Sequence, residues 1–207
     1  MKIVATKMLL IRHGETDWNK ELIFQGHSDT ELNEKGIKNA KKNAELLKDL
    51  NYDYIYCSDL KRAKDTAGFI ADKLNKKIIE SKEIRELDFG KWEGLDFKSI
   101  EEKYPDEFKA WQEDFLKNNP PGGEKISDFT ERVNRFFKSV LKKHRDKKII
   151  VVTHGGVIKT YLTEIMAVPK KRFWQFQIEN NSLTEIKFTG EVAVLTKLNL
   201  LYSNNFK

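Results

Sequence analysis

The sequence predicts an α/β fold, a mostly parallel sheet with helices on its faces. Three observations predict it. Strand-like and helix-like stretches alternate β-α-β-α-β between Met8 and Ser81. Met8–Ile11 and Ile149–Val152 are continuously apolar, as strands buried on both faces are. Both runs also end alike, in Arg12-His13-Gly14 and, past Thr153, in His154-Gly155-Gly156. Residues just beyond the C-terminal ends of such strands line the ligand crevice. If the two strands are neighbours, their imidazoles meet there beside the Arg12 guanidinium.

Glu15 to Thr30 reads as a loop carrying Trp18, Asn19, Gln25, Gly26 and His27. Asn33 caps a helix to about Leu50, with Ile37, Ala40, Ala44 and Leu47 on one face. Tyr54–Cys57 is β-branched and aromatic enough for a strand. Ser58–Ala63 leads straight into a helix with Ala63, Ala67, Ile70 and Leu74 inward, and Lys77–Ser81 is a further short strand. Glu83–Asp96 is a loop holding Trp92 between Gly90 and Gly94. Ser99–Tyr104 and Asp106–Leu116 are helical, and Pro120-Pro121-Gly122-Gly123 stops them. A long helix from Ser127 to His144 buries Phe129, Val133, Phe136 or Phe137, and Val140. After the second histidine strand come a helix over Gly156–Met166 and one helical turn over Pro169–Trp174. Ser182–Phe188 and Val192–Leu198 form a hairpin around Thr189-Gly190. No repeat or linker interrupts the chain, so residues 1–207 are expected to form a single domain, with 96–125 as a cap over the crevice.

A chain of 207 residues with 39% hydrophobic side chains can bury a sizeable core. Its 38 basic residues against 32 acidic ones leave a net charge of +6, which suits an anionic partner. The lysines, however, interleave with Glu and Asp along stretches such as Asn33–Leu50, the pattern of solvated helix faces. A local cationic pocket is therefore expected, and no nucleic-acid surface. Cys57 is the one cysteine, which excludes an internal disulfide and points to a reducing, cytoplasmic setting. Met1–Ile11 lacks a secretory core, and no apolar run is long enough to cross a membrane.

Arg12 offers a planar fork for two phosphate oxygens, and a neutral His13 offers a nucleophilic ring nitrogen. Arg62 opens a helix directly after a strand, which places it at the same crevice edge. Four ordered segments then resemble the histidine phosphatase superfamily, also called phosphoglycerate mutase-like, over nearly the whole chain. They are Arg12-His13-Gly14-Glu15-Thr16 with Asn19, Ser58-Asp59-x-x-Arg62-Ala63, Glu86-x-x-Phe89-Gly90-x-Trp92-Glu93-Gly94, and Thr153-His154-Gly155-Gly156. The resemblance implies a three-layer α/β/α sandwich and cofactor-free, metal-free phosphoryl transfer through a phosphohistidine. It makes His13 the nucleophile, Glu86 the proton donor, and Arg12, Asn19, Arg62 and a protonated His154 the phosphate pocket. The Gly155 amide, near a helix N-terminus, adds a neutral donor to that pocket. It also makes a homodimer an expectation.

The chain lacks the middle insertion and C-terminal tail of cofactor-dependent phosphoglycerate mutases, so a phosphatase is favoured over a mutase. Pro121-Gly122-Gly123-Glu124 and Phe173-Trp174-x-Phe176 before Asn180-Asn181-Ser182 resemble the α-ribazole phosphatase-like branch of cobalamin biosynthesis. The expected substrate is thus a small phosphomonoester, first α-ribazole-5′-phosphate and next phosphoserine or the mixed substrates of a broad-specificity phosphatase. Gln25 with Gly26, Trp92, Glu124 and Lys125 are the candidates for reading the leaving group. Three rivals compete. Metal hydrolysis wants clustered ligands, yet the four histidines include no His-x-x-x-His pair. A cysteine phosphatase wants Cys-x5-Arg, and Cys57 and Arg62 have that separation, but Asp59 and Lys61 stand where glycines are needed. A non-catalytic anion or nucleic-acid binding module would use Trp18, Trp92, Trp111 and Trp174 for stacking.

Overall fold

The computed structural model describes residues 5–190 and 192–201. Its strands are β1 (Thr6–Arg12), β2 (Tyr54–Ser58), β3 (Ile78–Ser81), β4 (Lys148–Thr153), β5 (Leu183–Thr189) and β6 (Val192–Leu200). Its α-helices are α1 (Asp17–Lys20), α2 (Glu34–Leu47), α3 (Lys61–Leu74), α4 (Phe97–Lys103), α5 (Pro105–Glu113), α6 (Ile126–Lys143) and α7 (Gly155–Ile165). The six strands form one sheet in the order β3-β2-β4-β1-β5-β6. β3, β2, β4 and β1 run parallel, while β5 and β6 close one side antiparallel.

The two apolar strands are the centre of the sheet, and their side chains divide by the period of two that a strand imposes. Met8, Leu10, Ile149 and Val151 face one core, filled by Phe129, Val133, Phe137, Val157 and Tyr161 of α6 and α7. Leu9, Ile11, Ile150 and Val152 face the other, filled by Ala44, Leu47, Ala63, Ala67 and Ile70 of α2 and α3. Both faces being covered, neither strand has a solvent side on which to place a polar residue, and the layers are α/β/α.

Helix boundaries follow their caps. Asn33 accepts the Gly36 amide at 2.8 Å and starts α2. α3 starts directly beyond β2, its Lys61 amide held by Asp29 at 2.6 Å. Pro105 opens α5 at the first-turn position that needs no amide hydrogen. A third apolar cluster lies under α4 and α5, where Trp92 meets Phe108 and Trp111 edge-on at 5.7 and 5.5 Å. Among the described residues no helix is long and apolar enough to cross a membrane.

Candidate active site

β1 and β4 pair in parallel with Arg12 opposite Thr153, so both chains turn into the crevice at the same level. The His13 amide donates to the Thr153 carbonyl at 2.8 Å and extends the ladder one residue further. The imidazoles of His13 and His154 lie 5.1 Å apart, centre to centre, tilted by 59°. Arg62 arrives from the first turn of α3 and is 1% exposed. Its Nη1 and Nη2 donate to the carbonyls of Ser28 and Gly26, each at 2.8 Å. That loop is stapled by Glu93, which accepts the His27 amide at 2.7 Å and the Ser28 amide at 2.8 Å. Gly26 sits there at φ +47°, where a side chain would be strained and would collide with Glu93.

One pocket at the crevice is lined by Arg12, His13, Asn19, Gln25, Gly26, Arg62, Glu86 and Asn180. His13 donates from Nδ1 to its neighbouring Gly14 carbonyl at 2.7 Å, which leaves Nε2 as the lone-pair nitrogen. Asn19 Oδ1 accepts from the Thr16 amide and from Asn180 Nδ2, at 3.2 and 3.0 Å. Its own Nδ2 is thereby the donor left for the pocket. Nε of Arg12, Nε of Arg62 and both ring nitrogens of His154 are buried without a partner among the described residues. Buried donors without partners mark a place where an anion would satisfy them.

Burial, followed by the Arg62 and Arg12 charges, holds the His13 imidazole well below its ordinary 6.5. Burial does the same to His154, with Arg62, His13 and Arg12 adding to it. In the protein alone both rings are therefore neutral, because burial and two guanidiniums disfavour a further charge there. Burial also draws Arg62 down to about 10, which still leaves it a cation at neutral pH. Stability follows from the sign. With both histidines depressed, the unfolded chain binds more protons below about pH 6.5, so stability is complete above that value and falls with acidification. The melting temperature is expected to drop between about pH 7 and pH 5, and His154→Gln to flatten that drop. An unchanged profile in His154→Gln would show that this ring is not depressed.

Glu86 lies between the pocket and a second cavity of about 150 Å³, which it lines together with Arg12, Trp111, Phe115, Glu124, Gly155, Lys159, Phe173 and Trp174. Its Oε2 accepts the Gly156 amide at 2.9 Å, and its Oε1 the Leu87 amide at 2.9 Å. A Cβ on Gly156 would collide with the carboxylate, so a larger residue there would displace Glu86. Arg132 holds the segment from behind, donating to the carbonyls of Glu83, Arg85 and Glu86 at 2.7–2.8 Å.

The expected leaving-group readers sit elsewhere or are already committed. Trp92 is fully buried, rolled inward by the 3₁₀ turn Gly90–Trp92, and it anchors the cluster under α5. Lys125 is exposed at the start of α6 and lines neither cavity. Glu124 does line the second cavity, but both its oxygens are taken by Arg132 at 2.6 and 2.7 Å. Gln25 lines the first pocket with its Oε1 occupied by the Thr16 and Thr30 hydroxyls. Sequence reasoning misses three contributors: Lys159, Arg132 and the Asn180 amide. Lys159 stands four residues after Gly155, hence on the same helix face, and that spacing is its one signal. Cys57 is fully buried in the α2–α3 core and its thiol is pushed up to about 12, chiefly by burial, which removes the cysteine mechanism.

A parallel sheet that closes a neutral imidazole between two guanidiniums, with a carboxyl at the exit, defines an enzyme of phosphate esters, a phosphoric monoester hydrolase. The chain belongs to the histidine phosphatase superfamily (branch 1), whose family model matches residues 8–201. It is 35% identical over 194 residues to phosphoserine phosphatase 1 of Hydrogenobacter thermophilus, spanning 94% of this chain and 92% of that one. Over 193 residues it is 29% identical to the adenosylcobalamin/alpha-ribazole phosphatase of Escherichia coli, spanning 93% and 95%. The crystal structure of the alpha-ribazole phosphatase from Shigella flexneri superimposes with a TM-score of 0.88 at 29% identity, over 94% of this chain and 96% of that one.

Proposed function

We propose that the chain hydrolyses a small phosphomonoester in two steps through a phosphohistidine on Nε2 of His13. The observation that carries this is the His13 ring itself: fixed by Gly14, kept neutral by burial, and flanked by Arg12 and Arg62. The guanidiniums and Asn19 Nδ2 hold the non-bridging oxygens, where charge is spread in the transition state. The Gly155 amide, in the first turn of α7, adds a donor of the kind that favours anions. The incoming dianion offsets the two guanidiniums and so allows His154 to take a proton and join them.

In the first step Nε2 bonds to phosphorus as the ester P–O bond breaks, and protonated Glu86 gives its proton to the departing oxygen. In the second step water attacks phosphorus and yields its proton to Glu86. The P–N bond breaks, inorganic phosphate departs, and both side chains return to their starting states. No step calls on a metal or cofactor, and among the described residues no three His, Cys, Asp or Glu side chains cluster as metal ligands would.

The leaving group enters the second cavity, with residues 96–125 acting as its cap through Trp111, Phe115, Asn118 and Asn119. At about 150 Å³ this cavity suits a compact leaving group of phosphoserine size. The second reading, α-ribazole-5′-phosphate, is favoured by the aromatic walls, which could stack on a flat base. The test is kcat/KM on phosphoserine, 3-phosphoglycerate, α-ribazole-5′-phosphate and 4-nitrophenyl phosphate. The compact esters are expected to lead. A clear preference for α-ribazole-5′-phosphate reverses the choice of leaving group, and turnover of none ends the phosphatase reading.

A further inference from the structure

The two-step mechanism leaves one cation at the site without a task. Lys159 is half-buried on α7 and lines the second cavity with Glu86. Its ammonium lies 5.1 Å from the ring centre of Trp174 and 5.5 Å from that of Phe173. Among the described residues no carboxylate pairs with it. Burial lowers its pKa, the Glu86 charge raises it and the Arg12 charge lowers it further. A cation held against aromatic faces is only partly compensated for the water it has lost.

The other charged and amide side chains lining that cavity are committed. Asn118 Nδ2 donates to the carbonyls of Ala110 and Asp114 at 2.9 and 3.0 Å, and Asn119 Nδ2 to that of Pro120 at 3.1 Å. Glu124 is neutralised by Arg132, and Arg12 is assigned to the phosphoryl oxygens. Lys159 alone keeps ammonium hydrogens to spare. Glu86 borders both cavities, so a leaving oxygen that takes its proton has the Lys159 side within reach of its substituent.

We propose that Lys159 is a specificity-determining residue that selects esters whose leaving group bears a carboxylate, held by its Nζ within walls of Trp111, Phe115, Phe173 and Trp174. The proposal rests on the phosphatase reading. It adds charge to the criterion of size: a serine or glycerate carboxylate lies a few bonds from the ester oxygen, within the compass of a small cavity, and ammonium–carboxylate pairing is strong where water is thin. The aromatic walls then serve to keep water away from that pair.

The test uses the whole chain with Lys159→Met, which keeps the length of the side chain and removes the charge, and with Lys159→Arg. The substrate pair is O-phosphoserine and O-phosphoethanolamine, which differ by the carboxylate, with 4-nitrophenyl phosphate as a third ester. In Lys159→Met the ratio of kcat/KM for phosphoserine to that for phosphoethanolamine is expected to fall roughly 10–100-fold, as expected for loss of a hydrogen bond to a charged group. The fall should appear in KM, and Lys159→Arg should restore most of the ratio. An unmoved ratio overturns the proposal. So does an equal loss on all three esters, which would make Lys159 a positioning residue for Glu86. Wild-type protein that turns over none of them overturns the phosphatase reading instead.

Discussion

His13→Ala is expected to lower turnover on the order of 10⁴–10⁶-fold and to abolish an acid-labile phosphoryl adduct that rapid quenching traps on the wild type. The size of the effect comes from covalent catalysis, since no other group among those lining the pocket combines a free lone pair with neutrality. His154 is the one other imidazole nearby, and unlike His13 it lines neither cavity. His27 is tied through Nε2 to the Glu86 carbonyl at 3.0 Å, and His144 through Nε2 to the Tyr56 hydroxyl at 2.7 Å. Substrate affinity should survive, because the guanidiniums are anchored by carbonyls of Ile178, Ser28 and Gly26 and not by His13. An adduct of equal yield in His13→Ala would place the nucleophile on another residue.

The second large effect is expected at Glu86. For an alkyl ester such as phosphoserine, Glu86→Gln should lower kcat/KM about 10²–10⁴-fold, the usual worth of a general acid. For 4-nitrophenyl phosphate the same constant should hardly change, because nitrophenolate leaves without a proton and kcat/KM reports only the steps through phosphorylation. The kcat on that ester should still fall, since water's attack on the phosphohistidine needs Glu86 as base. The contrast separates acid catalysis from damage to the fold. Equal loss of kcat/KM on both esters would show that the carboxylate acts chiefly by holding the Gly156 and Leu87 amides.

The meeting of His13 and His154 is legible in the sequence because buried parallel strands leave an unmistakable pattern. Eight apolar positions in two runs suit central strands and little else, and crevice geometry fixes where the residues after each strand must lie. Helix α1 is not legible, since four residues make scarcely one turn and show no periodicity. Trp92 and Lys125 escape sequence reasoning for a different reason: residue type shows what a side chain could bind, and direction depends on local turns. Glycine at 90, with φ +54°, and the 3₁₀ turn after it send the indole inward. Glu124 has the look of a substrate contact because its partner Arg132 lies eight residues on and two turns along α6. Lys159 is one lysine among many, and only the Gly155 face and the aromatic residues 173 and 174, brought over it by the turn Lys170–Gln175, single it out.

The pairing of β1 with β4 joins residues roughly 140 positions apart in the chain, and β5 clamps β1 from its other edge. Asn180, just ahead of β5, donates to the carbonyls of His13 and Gly14 at 3.2 and 3.4 Å. Neither half of the polypeptide therefore holds a working centre of its own. A ribosome must release everything through β5 before chemistry can begin, and such distant closure is slow. Recovery of turnover during refolding becomes a direct clock for completion of the sheet, with no earlier, partly active species to confuse it.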